Sequence, residues 1–354
     1  MTEEKKGLSV KTLISSVSLP TLIIGGFWVI ILALGVAKNL SLSSMLTDGL
    51  NRFGRWGILT LAMVPAIKSG TGPNFALPIG IVCGNLGEIC AIVLGFTGLG
   101  YICAAVFFAI VFGSMAGYLY GRLMNAVKGS EMTIATYTGF SITSLFCIIW
   151  VILPFRDPRI TWPLGKGTGL RQTIQLDQIG AAQVLDNFLS FKIAGVGIPT
   201  GIFLVFFLAC FLVWLFTRSK MGIAIAAAGS NPIFAGAAGL NVDRGRIMAN
   251  IISTVLGAIG IVIYGQSYGY SQLYTTPLLM AFPAVAAVLI GGASVAKAKI
   301  AHVIVGTLIF QGIMATSLPV SNEWLTGTDL SETLRMVIQN GVILYALVQA
   351  GGRK

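Results

Sequence analysis

Apolar residues gather along the chain into ten stretches, at approximately 20–37, 56–68, 75–95, 101–121, 132–153, 198–217, 247–263, 278–294, 300–318 and 333–349. Most approach the roughly 20 residues that a helix needs to cross the hydrocarbon of a bilayer. The pattern predicts an all-α, polytopic integral membrane protein of about ten transmembrane helices, forming one domain over residues 1–354. The first run follows Lys5, Lys6 and Lys11 and superficially looks like a secretory leader with Gly35-Val36-Ala37 as its cleavage site. Nine further spans favour a retained helix.

Ahead of the second span, Leu42, Met45, Leu46, Gly49, Leu50 and Phe53 recur at helical spacing, with Asp48, Asn51 and Arg52 on other faces. An amphipathic helix lying in the outer interface fits this pattern; an early start to the second span is the alternative. The one sizeable polar stretch, about 154–195, carries Arg156, Asp157, Pro158, Asp177 and Asp186. It divides the spans five and five, which would put the halves in opposite orientations, as in transporters built from inverted repeats.

Composition narrows the class. Hydrophobic residues make up 55% of the chain and charged residues only 10%, which excludes a soluble enzyme of this length. The net charge of +11 would suggest nucleic acid in a soluble protein; here it reports orientation. With both termini cytoplasmic and every stretch crossing once, 14 of the 23 lysines and arginines fall inside, and five of the rest, including Lys166, sit in the long polar loop. The five cysteines all lie in apolar stretches without a C-x-x-C pair, so they read as buried structural thiols rather than disulfide or zinc ligands. The lone His302 cannot build a metal site or a triad from its own kind and reads as a helix-end residue. Gly113, Gly117 and Gly121, and again Gly80 and Gly84, form stripes at which two backbones can approach, within the subunit or between subunits.

A loop of about 218–246 on the predicted cytoplasmic side is long where its counterparts are short. Within it Asn231 is a strong N-cap, Pro232 suits the first helical position, and Gly239 suits the left-handed residue after a helix. They predict a two-turn helix over about Pro232 to Ala238, small and apolar, of a kind that docks in a groove of another protein. This segment resembles the cytoplasmic coupling loop of ABC-importer permeases of the simple-sugar and branched-chain amino acid superfamily, through Gly222, Ala227, Gly229, Asn231, Ala235 and Gly239-Leu240-Asn241-Val242. Gly197-Ile198-Pro199 and Ala286-Ala287-Val288-Leu289-Ile290-Gly291-Gly292-Ala293-Ser294 are similar to two further segments of that family. The chain departs from its sugar branch, nearest to the ribose type, at Thr71-Gly72-Pro73-Asn74-Phe75-Ala76, where an acid usually stands at the position of Asn74, and at Ala296-Lys297-Ala298-Lys299.

The resemblance implies a permease subunit in a bacterial cytoplasmic membrane that imports a small polar solute such as a sugar or nucleoside. It implies cytosolic ATP-binding subunits, an extracytoplasmic solute-binding protein, and a second permease copy or paralogue as partners. The chain holds no G-x-x-x-x-G-K-[ST] loop, since Gly165-Lys166-Gly167 lacks the upstream glycine and the hydroxyl. ATP and Mg²⁺ are therefore expected on the partner ATPase, with no catalysis, cofactor or metal on this chain. A branched-chain amino acid permease is the nearest alternative; an ion-coupled secondary transporter would need more intramembrane charge than the single acid Glu88.

Along the pathway, Glu88 is either functional or a hydrogen-bonded structural group partnered by Asn85. Gln266, Ser267, Tyr268, Tyr270, Ser271 and Gln272 form a polar run expected in an outer loop, receiving solute or simply solvated. Asn74 and Phe75 follow a break between apolar runs marked by Lys68, Pro73 and Pro78. If the break dips into the bilayer they would face the pathway; a plain cytoplasmic turn is the alternative.

Overall fold

The computed structural model describes residues 18–153, 155, 157–164, 167–324 and 330–351. Lys166, Arg156 and the basic residues of both termini, on which the orientation count partly rests, lie outside the described residues.

All ten predicted spans coincide with helices. The first half holds α1 (Leu19–Ala37), α2 (Leu42–Leu61) continued by α3 (Met63–Lys68), α4 (Leu77–Val93), α5 (Gly98–Ala126) and α6 (Glu131–Ile152). A polar segment follows with hairpin β1–β2 (Thr161–Leu164, Gly167–Leu170), β3 (Thr173–Gln175), the four-residue α7 (Val184–Asn187) and hairpin β4–β5 (Phe191–Ile193, Val196–Ile198). The second half holds α8 (Thr200–Arg218), α9 (Lys220–Ser230), α10 (Pro232–Ala237), α11 (Val242–Tyr268), β6 (Tyr270–Gln272), α12 (Thr276–Ile290), α13 (Ile300–Trp324) and α14 (Leu330–Gly351). Six of these helices are long and apolar enough to cross a membrane, and α4 and α12 are shorter apolar helices.

Helix starts follow the sequence. The Ser18 hydroxyl accepts from the Thr21 amide with Pro20 in the first turn, and the Ser41 hydroxyl accepts from Ser44. The helix beginning at Leu42 runs unbroken to Leu61 and buries Met45, Gly49, Phe53, Gly54 and Gly57, so it does not lie in the interface. Met45, Gly49 and Phe53 of the apolar stripe are buried where the helix packs on α13, α11 and α8, while Leu42 at its start stays exposed. Apolar residues on all sides of α4 and α12 go with burial at the centre of the bundle. Large apolar side chains of α5, α6 and α8, such as Phe107, Leu119, Ile148 and Phe207, stay exposed as a lipid-facing surface. Cys103 belongs to that surface rather than the core, whereas Cys83 and Cys210 are buried; all five thiols are free.

Both glycine stripes serve packing within the chain. A Cβ on Gly117 or Gly121 would stand 2.8 Å from the Cα of Ile251 or Ile247 on α11, and one on Gly80 or Gly84 would collide with the Thr254 or Ala258 carbonyl of the same helix. The neighbour relations also repeat between the halves. Helix α11 packs on α5 and α4 as α2 packs on α13 and α12, while α4 touches α5 and α6 as α12 touches α13 and α14. The chain breaks once ahead of α4, with Gly70 and Gly72 at φ of +78° and +80°, and once ahead of α12, with Gly269 at +87°. These breaks lie at opposite ends of the bundle. One adjoins α9, and the other adjoins the β-strands of the polar segment, where β6 pairs antiparallel with β3.

Candidate functional site

At one end of the bundle α9 and α10 form a defined surface. The Asn231 side chain accepts from the Phe234 amide at 3.0 Å, with Pro232 at the first helical position. Gly239, at φ +80°, ends α10 by donating to the Gly236 carbonyl while Leu240 donates to Ala235, the paired bonds of a Schellman stop. The helix turns Ala235 inward and leaves Ile233 86% and Phe234 70% exposed. Gly222 is required where α9 leaves α8, since a Cβ there would stand 2.2 Å from the Phe216 carbonyl. Ala227 supplies the carbonyl that receives the Asn231 amide, and Gly229 lies against the backbone of Lys68 to Gly70. Thus the seven residues singled out in this loop form one unit: two short helices presenting an apolar tip and seated on the break ahead of α4.

That break is not a solvated turn. Asn74 is 2% exposed, and its amide is engaged on both sides: Nδ2 donates to Ser253 Oγ at 2.8 Å and Oδ1 accepts from Ala76 N at 3.0 Å. Ser253 in turn donates to the Ala62 carbonyl at the junction of α2 and α3. The amide thus ties the break to α11, with one of its two Nδ2 hydrogens and its Oδ1 engaged within the chain. Phe75 packs on Phe282 of α12 with ring centroids 5.5 Å apart.

At the opposite end a cavity of about 380 Å³ opens between α2, α11, α12, α13 and α14. Trp56, Tyr264, Tyr268 and Phe310 supply its aromatic wall, Gln272, Gln311 and Gln339 supply amides, and Thr276 a hydroxyl. Trp56 meets Tyr264 edge-on at 5.7 Å, and Tyr264 stacks on Tyr268 at 5.4 Å, so the rings form one ladder. Arg335 pairs with Glu332 through both carboxylate oxygens, while Arg52 makes no hydrogen bond or ion pair among the described residues. Tyr268 also lines a neighbouring cavity of about 350 Å³ with Asp48, Arg52, Arg55 and Gln183.

Of the expected polar run, only part faces this space. Gln266 to Tyr268 form the last turn of α11 and Tyr270 to Gln272 form β6, in place of a loop. Gln266 is fully buried; its Oε1 accepts from the Leu185 amide, and its Nε2 donates to Asp186. It therefore clamps α7 onto α11 and leaves the cavity to Tyr268 and Gln272. Burial pushes the Asp186 carboxyl up, against the hydrogen bond from Ser267 and the nearby Arg55. Glu88 and Asn85 sit behind β6: Ser271 Oγ donates to the Glu88 carboxylate, and Asn85 Nδ2 points at the Gln272 carbonyl at 3.5 Å. Glu88 is thus partnered by Ser271 and not by Asn85. Trp56, Tyr264, Gln311 and Gln339 escaped the sequence reading because each is one polar or aromatic residue within an apolar span. Their only signal was polarity inside a hydrophobic run, which Glu88 shares.

A family model described as branched-chain amino acid transport system / permease component matches residues 45–347. The nucleoside ABC transporter permease protein NupB of Lactococcus lactis subsp. cremoris (strain MG1363) is 23% identical over 249 residues, which are 69% of this chain and 62% of that protein. The match thus spans less than two thirds of that relative's length. A solved chain described as a metal-chelate type ABC transporter in an inward-facing conformation covers 95% of this chain, and this chain 99% of it, at 15% identity and a TM-score of 0.47.

Proposed function

The chain belongs to the family of branched-chain amino acid transport system permease components, and from that premise we propose that it is the membrane subunit of an ATP-driven importer of nucleosides or sugars. The carrying observation is the cavity in which the ladder Trp56, Tyr264 and Tyr268 faces the amides of Gln272, Gln311 and Gln339. Rings give a flat face for a base or the C–H face of a sugar, and amides match the mixed donors and acceptors of a base edge or of hydroxyls. The nucleoside permease among its relatives supports the same solute class.

In this reading α10 lies in the cytoplasm and inserts Ile233 and Phe234 into a separate ATPase that holds ATP and Mg²⁺. The cavity opens toward an extracytoplasmic solute-binding protein, both termini are cytoplasmic, and a second copy or a paralogue completes the pathway. Coupling runs from α10 through α9 to the break ahead of α4, and from Asn74 through Ser253 into α11, whose far end bears Tyr264 and Tyr268.

A second reading, a branched-chain amino acid as solute, draws on Arg52 and Glu332 beside the apolar Leu279, Met280, Met314 and Leu318 of the same cavity. Uptake of tritiated uridine, adenosine, ribose and leucine, measured in cells expressing the chain with its ATPase and binding protein, separates the two. Accumulation of uridine, adenosine or ribose that is lost in Trp56→Ala supports the proposal; accumulation of leucine alone overturns it.

A further inference from the structure

Strand β6 is short, and its residues divide between two sides. Ser271 is buried, while Tyr270 and Gln272 are half-buried, as strand alternation requires. The Gln272 side chain looks into the large cavity with Tyr268 two positions before the strand, and Thr276 shares a hydrogen bond with its amide oxygen. Behind the strand stands α4. Glu88 is 1% exposed, with one carboxylate oxygen receiving the Ser271 hydroxyl and the other making no hydrogen bond. One turn earlier, the fully buried Asn85 points its Nδ2 at the Gln272 carbonyl. Across this space, a Cβ on Gly265 of α11 would stand 3.0 Å from the Glu88 Oε1. A small cavity of about 100 Å³ lies alongside, bounded by Gly265, Tyr268, Ser271, Gln272 and Thr276.

We propose that Glu88 is a positioning residue for the solute cavity, fixing through Ser271 the strand that carries Gln272 and abuts Tyr268. The inference rests on the reading of that cavity as the solute site. A buried carboxyl is costly to keep unless it does something a methylene cannot, and here it accepts a hydrogen bond where the break ahead of α12 meets α4 of the other half. The acid itself does not line the large cavity, so its effect on a solute passes through the strand. The other break is held in the same manner, by Asn74 on Ser253.

The test uses the full chain with its ATPase and binding protein, and whichever of tritiated uridine or ribose the wild type accumulates, with solute binding also measured on the purified permease–ATPase complex. Glu88→Ala is expected to weaken binding about tenfold, the scale of leaving one buried hydroxyl without its hydrogen-bond partner, while the maximal uptake rate and ATPase assembly hold. Glu88→Gln, which still accepts from Ser271, is expected to restore most of the affinity. Ser271→Ala removes the donor without touching the acid and should weaken binding in the same direction. The double variant Glu88→Ala, Ser271→Ala should be no worse than Glu88→Ala alone. Unchanged affinity in both single alanine variants overturns the proposal. So does a Glu88→Gln variant as impaired as Glu88→Ala, because the acid proton would then be the functional element. If Glu88→Ala fails to assemble, Ser271→Ala and Glu88→Gln still decide. Trp56→Ala separates the two levels: wild-type binding there removes the cavity reading, whereas impaired binding there with unchanged binding in Glu88→Ala and Ser271→Ala removes only the role of Glu88.

Discussion

Gly229 and Gly70 meet backbone to backbone. A Cβ on Gly229 would stand 2.1 Å from the Lys68 carbonyl oxygen and 2.8 Å from the Gly70 amide, and one on Gly70 would stand 3.0 Å from the Gly229 Cα. The contact is backbone on backbone, so under the proposed coupling a displacement of α9 would pass to the break ahead of α4 without being absorbed by rotamer changes. Gly70 is doubly constrained, since its φ of +78° also disfavours any residue with a Cβ.

Gly229→Val is therefore expected to push α9 off the break and to lower solute uptake at least tenfold, while the protein still inserts and still binds its ATPase through α10. Overpacking of this kind costs about 1–3 kcal/mol. Uptake, membrane yield and co-purification of the ATPase, measured on one preparation, check it; wild-type uptake would remove the contact from the coupling route.

Asn231→Ala combined with Gly239→Val should loosen α10 at both ends. The lost cap costs about 1 kcal/mol, and valine at φ +80° is strained. ATP hydrolysis that continues without solute uptake is the expected outcome in proteoliposomes. Phe234→Ala, which removes an exposed ring and no cap, should instead weaken retention of the ATPase.

Asn74→Leu is expected to lower stability and uptake together. It strips the Ala76 amide of its acceptor and leaves the Ser253 hydroxyl only its bond to the Ala62 carbonyl, a cost of about 1–3 kcal/mol for a buried group left unsatisfied. A thermal shift in detergent reads this out. Normal stability with lost uptake would instead return Asn74 to the solute pathway.

Orientation is checked with cysteines at described positions. Lys192→Cys, in the hairpin formed by β4 and β5, should react with an impermeant maleimide in intact cells. Ile233→Cys, exposed on α10, should react only after permeabilisation. The reverse pattern would invert the proposed topology.

Asp157 is expected to contribute to the stability of the polar segment at low pH. Its carboxyl is held below the ordinary carboxylate range by hydrogen bonds from the Arg159 side chain, which also reaches the Ile92 carbonyl at the end of α4. An acid whose folded value is depressed stabilises above its unfolded value and loses that contribution as pH falls through the folded one. Protection of this segment from proteolysis should therefore fall away only below about pH 4, and Asp157→Asn should remove the acid-dependent step.

The sequence by itself determined the helices at the ten apolar stretches, six of them long and apolar enough to cross a membrane, because a long apolar run has few other places to go, and it determined α10, because a cap, a proline and a glycine act on their immediate neighbours. Short-range chemistry is readable from short-range sequence. What only the tertiary structure decided are the partnerships across the bundle. Asn74 finds Ser253 179 positions away, and Glu88 finds Ser271 183 positions away. In each case the sequence leaves open which groups the polar side chain meets, and packing of the two halves supplies a hydrogen-bond partner from the other half. Leu42 to Leu61 looked amphipathic because its polar face borders a cavity rather than water at the membrane surface, a distinction that periodicity does not carry. The aromatic and amide wall joins Trp56, Tyr264, Gln311 and Gln339 from four helices, and no local pattern marks residues that meet only once those helices pack.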